Sequence, residues 1–431
     1  MALRGLARRR GQPVAVPRVG LFGLLGSGNI GNDGMLEAMI RYLRSAQPDA
    51  TVDFMCSGPE RISARYGAGA IPLLWYQKYE QEASGLPASV LKVVGKGVDA
   101  VRIAAWVRSH DVVIVPGAGV LEATLPLRPW GVPYAMFLLC ASGRLFGTKV
   151  ALVSVGASAS NKRATRLLFD WAARLACYLS YRDNQSREAM RQRGLDVSRD
   201  RVYPDLAFAL PEPPHDPGDP QLVGVGVMAY YGRNEDRRHA DQIHAAYVEK
   251  MKRFTRWLVD SGYRVRLFGG DNRFDDSVAQ EILADVRAHR PDLDSAWLVT
   301  RPITSLAELM QEMAPVGTVV ATRYHNVLCA LKLCKPTISL GYSRKNDDLM
   351  ADMGIPEFCQ FAHSLDFDLL IKQFTEVRNQ AGKLGRRMAE RNAERARSLD
   401  EQFSALSALL FPPRTVTPTA AEHEPSRQPI R

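Results

Sequence analysis

The residues best suited to chemistry lie in one short stretch. Arg323, Tyr324 and His325 follow an apolar run, Thr318–Ala321, that reads as a buried strand. Residues just past a strand's C-terminal end in an open parallel sheet project into the crevice where such folds bind ligands. An arginine there can clamp a carboxylate or phosphate through two parallel hydrogen bonds. A histidine there can give up a proton near neutral pH. After a predicted helix, Asn326–Leu333, and a predicted strand, Thr337–Leu340, come Tyr342, Arg344 and Lys345, again at a strand end. A single histidine or arginine would be explained more simply as a helix cap or a solvated charge. Two neighbouring strand ends that both deliver cations point to a site for a small anion.

The first half of the chain offers further candidates. Tyr181-Arg182-Asp183 follows the apolar stretch Leu175–Ser180. Asp183 stands where an N-cap of the next helix would, and Arg182 is either its neighbour or another cation facing the cleft. Gly26, Gly28, Asn29 and Gly31 lie in a G-x-G-x-x-G loop between a strand and a helix, a form that can present backbone amides to a phosphate. A dinucleotide site would also need an acid at the end of the second strand. That strand, Thr51–Cys56, ends at Ser57, with Asp53 near its start, so a plain glycine turn is an equal reading. No Gly-Lys-Ser/Thr follows, which excludes a P-loop. Gly117 and Gly119 form a second glycine turn after the strand Val112–Val115, and Asp33 and Glu122 stand near first-half strand ends as candidate bases.

The elements that position these residues alternate. Short β-branched runs at Val14–Leu25, Thr51–Cys56, Val112–Val115 and Val150–Val155 are separated by helical periodicity, as in a parallel sheet covered on both faces. The proline-rich segment Pro211–Pro220 reads as a linker, and the alternation resumes from Leu222. The expected fold is α/β, with two Rossmann-like domains facing a cleft and a long C-terminal helix. The division is a disordered basic arm over 1–17, a first domain over 18–210 and the linker over 211–220. A second domain over 221–370, the helix over 371–411 and a disordered tail over 412–431 complete it.

Composition narrows the partners. The 431 residues carry 56 Lys+Arg against 46 Asp+Glu, a net charge of +10 that taken alone suggests a polyanion. Arg4, Arg8, Arg9, Arg10 and Arg18 supply half of that surplus from the N-terminal arm, and no nucleic-acid-binding motif accompanies them. No nucleic-acid partner is expected, although the arm could touch an anionic membrane. The six cysteines show no CxxC pair and read as buried, reduced thiols, with no metal site. The longest charge-free apolar run, Pro129–Gly143, has 15 residues, short of the roughly 20 a membrane span needs. The arm lacks the apolar core of a secretory signal, and a cytoplasmic location follows as the expectation.

Taken in order, several of these pieces resemble the polysaccharide pyruvyl transferase family. They are Gly26–Leu36 (GSGNIGNDGML), Pro116–Leu121 (PGAGVL), Tyr181-Arg182-Asp183 with Ser186, Pro204–Phe208, Arg323-Tyr324-His325, and Gly341-Tyr342 with Lys345. The resemblance covers roughly residues 19–210 and 315–355. It implies a glycosyltransferase-B-like fold and transfer of pyruvate from phosphoenolpyruvate to two sugar hydroxyls as a ketal. The acceptor would be a cell-surface polysaccharide or its lipid-linked precursor. No cofactor is implied beyond the donor substrate. Arg323 and His325 fall on the family's Arg-x-His donor site and Lys345 on its Tyr-x-x-Lys lysine, with Tyr342 beside it and Arg182 on the Arg-Asp motif. The glycines would then belong to the acceptor or phosphate loops. Two departures stand out: Gly117-Ala118-Gly119 where Gly-Gly-Gly is common, and Gly31-Asn32-Asp33 where Gly-Asp is commoner. A glycosyltransferase of the same architecture, using a nucleotide sugar, is the alternative. It requires a ribose-binding carboxylate in the second domain, for which Asp271 and Glu308 are the candidates.

Overall fold

The structure, a computed structural model, describes residues 16–79, 85–122, 129–158, 162–232, 234–271 and 274–412. The expected disordered arm, up to residue 15, and the tail from residue 413 lie outside the described residues. The first half contains β1 (Arg18–Gly23), α1 (Ile30–Ala46), β2 (Thr51–Cys56), α2 (Pro59–Tyr66), β3 (Ala70–Pro72) and α3 (Gly85–Arg108). It continues with β4 (Val112–Pro116), α4 (Val132–Phe146), β5 (Lys149–Val155), α5 (Arg163–Leu175), β6 (Tyr178–Tyr181), α6 (Asn184–Gln192) and β7 (Arg201–Val202). These strands form one parallel sheet in the order β3-β2-β1-β4-β5-β6-β7.

The second half repeats the plan with β8 (Asp219–Gly226), α7 (Ala240–Asp260), β9 (Arg264–Phe268), α8 (Asp275–His289), β10 (Leu298–Thr300) and α9 (Leu306–Met313). It ends with β11 (Val316–Ala321), α10 (Tyr324–Lys332), β12 (Thr337–Gly341), α11 (Arg344–Asp352), β13 (Cys359–Phe361), α12 (Phe367–Asn379) and α13 (Ala381–Leu410). Its parallel sheet runs β10-β9-β8-β11-β12-β13. In each sheet the strand order reverses beside its first strand, the switch point where a crevice opens at the strand C-termini.

Local chemistry explains these elements. β4 is buried along its whole length, and its Val-Val-Ile-Val run packs helices on both faces. Each such side chain, fully buried, contributes about 1.5–3 kcal/mol. Asn29 caps α1 by accepting from the Gly31 and Asn32 amides. Ser305 accepts from the Glu308 amide while Glu308 accepts from Thr304, a reciprocal box that starts α9.

Three readings need adjustment. The second sheet begins at Asp219, inside the segment read as linker. The C-terminal helix is broken at Gln380 into α12 and α13. Of the cysteines, Cys56, Cys140 and Cys329 are buried, whereas Cys177 is exposed and Cys334 and Cys359 are half-buried. Cys177 follows directly on α5, where the chain turns at the edge of the apolar layer.

Helix α13 straps the two halves together. Its Asn392 donates to the carbonyls of Leu331 (3.1 Å) and Lys332 (2.9 Å) in the second half. Further along, Phe403 stacks on Tyr42, and Lys149 donates to the carbonyls of Leu409 and Leu410 at the helix end. Gln402 is fully buried and donates 2.9 Å hydrogen bonds to Ser154 and Ser180. Those serines lie where the β5–β6 register slips and Ser154 takes a positive φ of 50°. The strap thus plugs a bulge in the first sheet.

Gln402→Leu keeps the side chain's size but strands buried polar atoms, which costs about 1–3 kcal/mol. Urea denaturation of the full chain should show that loss; an unchanged midpoint would contradict the strap.

Candidate active site

The first sheet sends two groups toward the second. Past β6, Asp183 caps α6 by accepting from the Ser186 amide at 2.6 Å, and Arg182 turns inward to a position only 7% exposed. Both readings of that pair therefore hold. Past β4, Gly117 and Ala118 take positive φ values of 56° and 59°, and the chain returns to place Glu122 against Arg182. For a residue with a side chain that backbone costs on the order of 1 kcal/mol. Ala118 meets it while its amide donates to the Met35 sulfur. A Cβ on Gly156 would stand 2.3 Å from the Glu122 carboxylate and 2.6 Å from the Arg182 guanidinium. Glycine there makes room for the ion pair.

Arg182 also lies 3.5 Å from Asp183 and 3.8 Å from Asp205. Burial works against its charge, but the surrounding carboxylates, Glu122 first, outweigh burial and hold it protonated.

The second sheet answers with α10 and α11. Tyr324 and His325 form the first turn of α10, so the helix begins earlier than its apolar periodicity suggests. The nearly buried Tyr324 ring lies 5.5 Å from the Arg182 guanidinium and 5.6 Å from the Lys345 ammonium, within cation–π range of both. Lys345 stands 4.0 Å from Glu122 and 5.2 Å from the Tyr342 ring. Burial pulls its pKa down, yet the neighbouring Tyr342 and Glu122 raise it further, so it keeps its proton.

His325 directs Nε2 toward Asp205 at 3.8 Å, and its opposite edge packs on α1. A Cβ on Gly31 would lie 2.0 Å from Nδ1 of His325, which is why the helix carries glycine there. Asp205 is 2% exposed and accepts from the Ala207 amide at 3.0 Å. Burial pushes its pKa up, but His325 and Arg182 pull harder, and the carboxyl sits below the usual range.

Arg323 is engaged differently from the donor clamp expected of it. Its Nε and Nη2 bond Asp275 at 2.8 and 2.5 Å. Asp275 is fully buried and also accepts from the amides of Ala229, Gly270 and Asp271. The arginine therefore pins the start of α10 to the start of α8. Asp33 is likewise occupied, accepting from the Gly26 amide at 2.7 Å, with burial raising its pKa.

The first glycine loop departs furthest from expectation. The amides of Gly31 and Asn32 donate to the Asn29 side chain, that of Asp33 to the Asn29 carbonyl, and that of Ile30 to Gly270 across the cleft. Gly26 (φ 69°) packs against the Gly58 carbonyl within the first half and Gly28 takes φ 91°, and the loop then meets the second half through Asn29 and Ile30. The first-turn amides of α1 have no hydrogen left for a phosphate. Gly119 likewise makes space for the Glu122 side chain.

A cavity of about 190 Å³ opens beside the cluster, walled by Arg182, Asp205, Tyr324, Lys345, Phe208 and Arg395. His325 is not on that wall, but it contacts two residues that are, Asp205 and Tyr324. Sequence reasoning missed Arg395, which α13 brings across, 3.6 Å from Asp352 and over the Phe208 ring. Within a helix this rich in charge, spacing alone cannot mark it. Asp205 lies within the matching piece Pro204–Phe208, and its one signal is a lone acid next to Leu206, Ala207 and Phe208.

Because Asp205's pKa is depressed, its contribution to stability is full above its unfolded pKa, about 3.9, and fades as pH falls through the lower folded value. Asp205→Asn should therefore cost about 1–3 kcal/mol at pH 7 and progressively less below pH ~4. Thermal denaturation across pH measures this; a pH-independent difference would contradict it.

The family model for polysaccharide pyruvyl transferase matches residues 29–344. No curated protein sequence matches the chain. Among solved structures, a UDP-N-acetylglucosamine 2-epimerase aligns with a TM-score of 0.58 at 11% identity, covering 91% of this chain and 95% of that one. The UDP-GlcNAc 2-epimerase of Neisseria meningitidis, bound to UDP-GlcNAc, gives 0.55 at 9% identity, covering 90% and 99%. A glycosyltransferase of Rickettsia africae gives 0.53 at 9%, covering 92% and 99%. At such identities the likeness is one of fold, and the fold is glycosyltransferase-B-like. The family match takes in the Glu122 loop, Arg182, Asp205 and the Arg323-Tyr324-His325 turn, and the chain belongs to the polysaccharide pyruvyl transferase family.

Proposed function

We propose that this transferase moves pyruvate from phosphoenolpyruvate onto two hydroxyls of a sugar, in a cell-surface polysaccharide or its lipid-linked precursor, with release of phosphate. One observation carries the reading: two cations held in their charged forms, Arg182 and Lys345, converge with the His325–Asp205 pair in the cleft of a pyruvyl transferase family member. The donor carries a carboxylate and a phosphate, and a site for it calls for several cations.

The reaction divides among these residues. His325 protonates the donor's methylene carbon, which becomes a methyl group and leaves an electrophilic C2 of oxocarbenium character. Asp205 orients the imidazole and balances its charge. One sugar hydroxyl adds to C2 and loses its proton, and the C2–O bond to phosphate breaks. A second hydroxyl then adds to C2, gives its proton to the released phosphate and closes the ketal. Lys345, Arg182 and Arg395 receive the donor's negative charge, and Arg323 fixes the turn that carries His325. Of the two carboxylates considered as base, Glu122 is the one in the cleft. No cofactor is required, and the metabolite donor places the reaction in the cytoplasm.

The nucleotide-sugar alternative gains little support. Glu308 is consumed in the cap of α9, and Asp271 is buried against Asn29.

Purified protein given phosphoenolpyruvate and a panel of cell-wall glycans should release phosphate with one of them. His325→Asn should lower kcat by about 10²–10⁴-fold with the fold retained by circular dichroism, and Lys345→Ala should chiefly raise KM for the donor. Full turnover in His325→Asn would overturn the proton-donor role. Stabilisation by a UDP-sugar and not by phosphoenolpyruvate would favour the glycosyltransferase.

A further inference from the structure

The outer layer of the first sheet, helices α3, α4 and α5 packed side by side, shows a surface unlike the rest of the protein. Large apolar side chains face outward on each: Val94 and Val101 on α3, Leu145 and Phe146 at the end of α4, Leu167 and Trp171 on α5. Leu145 is 76% exposed and Val101 71%. Trp130, just before α4, is 59% exposed. Between α4 and α5 runs an open groove of about 640 Å³, lined by Phe137, Leu145, Leu167 and Trp171 with Arg144 at its edge. Single exposed apolar residues are ordinary, but a contiguous strip marks a surface that meets something.

Charge on the same layer identifies the partner. Arg108, Arg144, Arg163, Arg166 and Arg174 are exposed around the strip. The three helices contain only two acids, Asp99 and Asp170. Asp99 is fully buried between Lys96 and Arg102, and Asp170 is paired with Arg193 at 2.5 Å. The face thus combines exposed aliphatic and tryptophan side chains with a rim of arginines, and within the three helices no carboxylate is left to answer them. Those are the features of a surface that seats in the headgroup layer of a negatively charged bilayer. Tryptophans at such a boundary bury the ring while the indole N–H stays hydrated. A twofold contact between copies would set each arginine rim against its own image. Among the described residues no helix is long and apolar enough to cross a membrane, so the contact is peripheral.

We infer that the α3–α4–α5 face is a docking surface for an anionic lipid bilayer. It is separate from the N-terminal arm and rests on its own geometry, whatever the donor.

Co-sedimentation of the full chain with vesicles tests this. Wild-type protein should bind phosphatidylglycerol/phosphatidylcholine vesicles and not pure phosphatidylcholine, and added salt should weaken binding. Leu145→Glu/Trp171→Glu, which alters exposed positions and no site residue, should weaken vesicle binding at least about tenfold, with unchanged melting temperature and unchanged turnover of a soluble acceptor. Arg144→Glu/Arg166→Glu should do the same. Undiminished binding by both variants, or equal binding of wild type to neutral vesicles, would overturn the inference. So would light scattering that shows a wild-type dimer dissociated by these substitutions, which would make the face a contact between copies.

Discussion

A guanidinium and an ammonium cannot be withdrawn from water between two domains unless counter-charges are already in place, and much of this structure follows from that. An unpaired buried ion costs several kcal/mol, and Arg182 and Lys345 are both largely withdrawn at the junction. Glu122 touches both, Asp183 and Asp205 flank the arginine, and Tyr324 presents its ring to each. The acids come from separate loops of the first sheet and the lysine and tyrosine from the second. The arginine finds its acids within the first half, whereas the lysine meets Glu122 only when the two sheets face one another in this register.

The same requirement accounts for features that do no chemistry. Gly156 and Gly119 lack side chains where the Glu122 carboxylate must lie, and Gly31 where the His325 ring must lie. Ala118 accepts an unfavourable backbone so that the chain can return to Glu122. Helix α13 ties both halves together, plugs the bulge at Ser154 and brings Arg395 to the cavity wall. Arg323, bonded to Asp275, fixes the turn on which His325 and Tyr324 stand. A cleft held this way keeps its charged groups fixed in place before any ligand arrives.

The sheets were legible because parallel strands buried on both faces are written as unbroken Val and Ile runs, and their order follows from alternation with helices. The candidate site was legible where side chains sit directly past those runs, as Arg182, His325 and Lys345 do. Legibility failed where function depends on partners distant in sequence. Nothing near Arg323 tells that Asp275, on another helix, takes two of its nitrogens. The glycine loop matches an anion-binding pattern, yet the Asn29 side chain and Gly270 across the cleft consume its amides. Arg395 is one basic residue among many on its helix until the crossing of α13 singles it out. The break at Gln380 was hidden because periodicity runs on through it.

The proposed reaction turns on a protein-held proton delivered to the donor's methylene carbon as the ketal forms. The most direct measurement is proton NMR of the product after turnover of phosphoenolpyruvate and acceptor in deuterium oxide. A proton supplied by an exchangeable acid such as the His325 imidazole leaves one deuterium in each ketal methyl, seen as a CH₂D signal. A fully protonated methyl, or transfer of a group that yields no ketal methyl, would contradict the account.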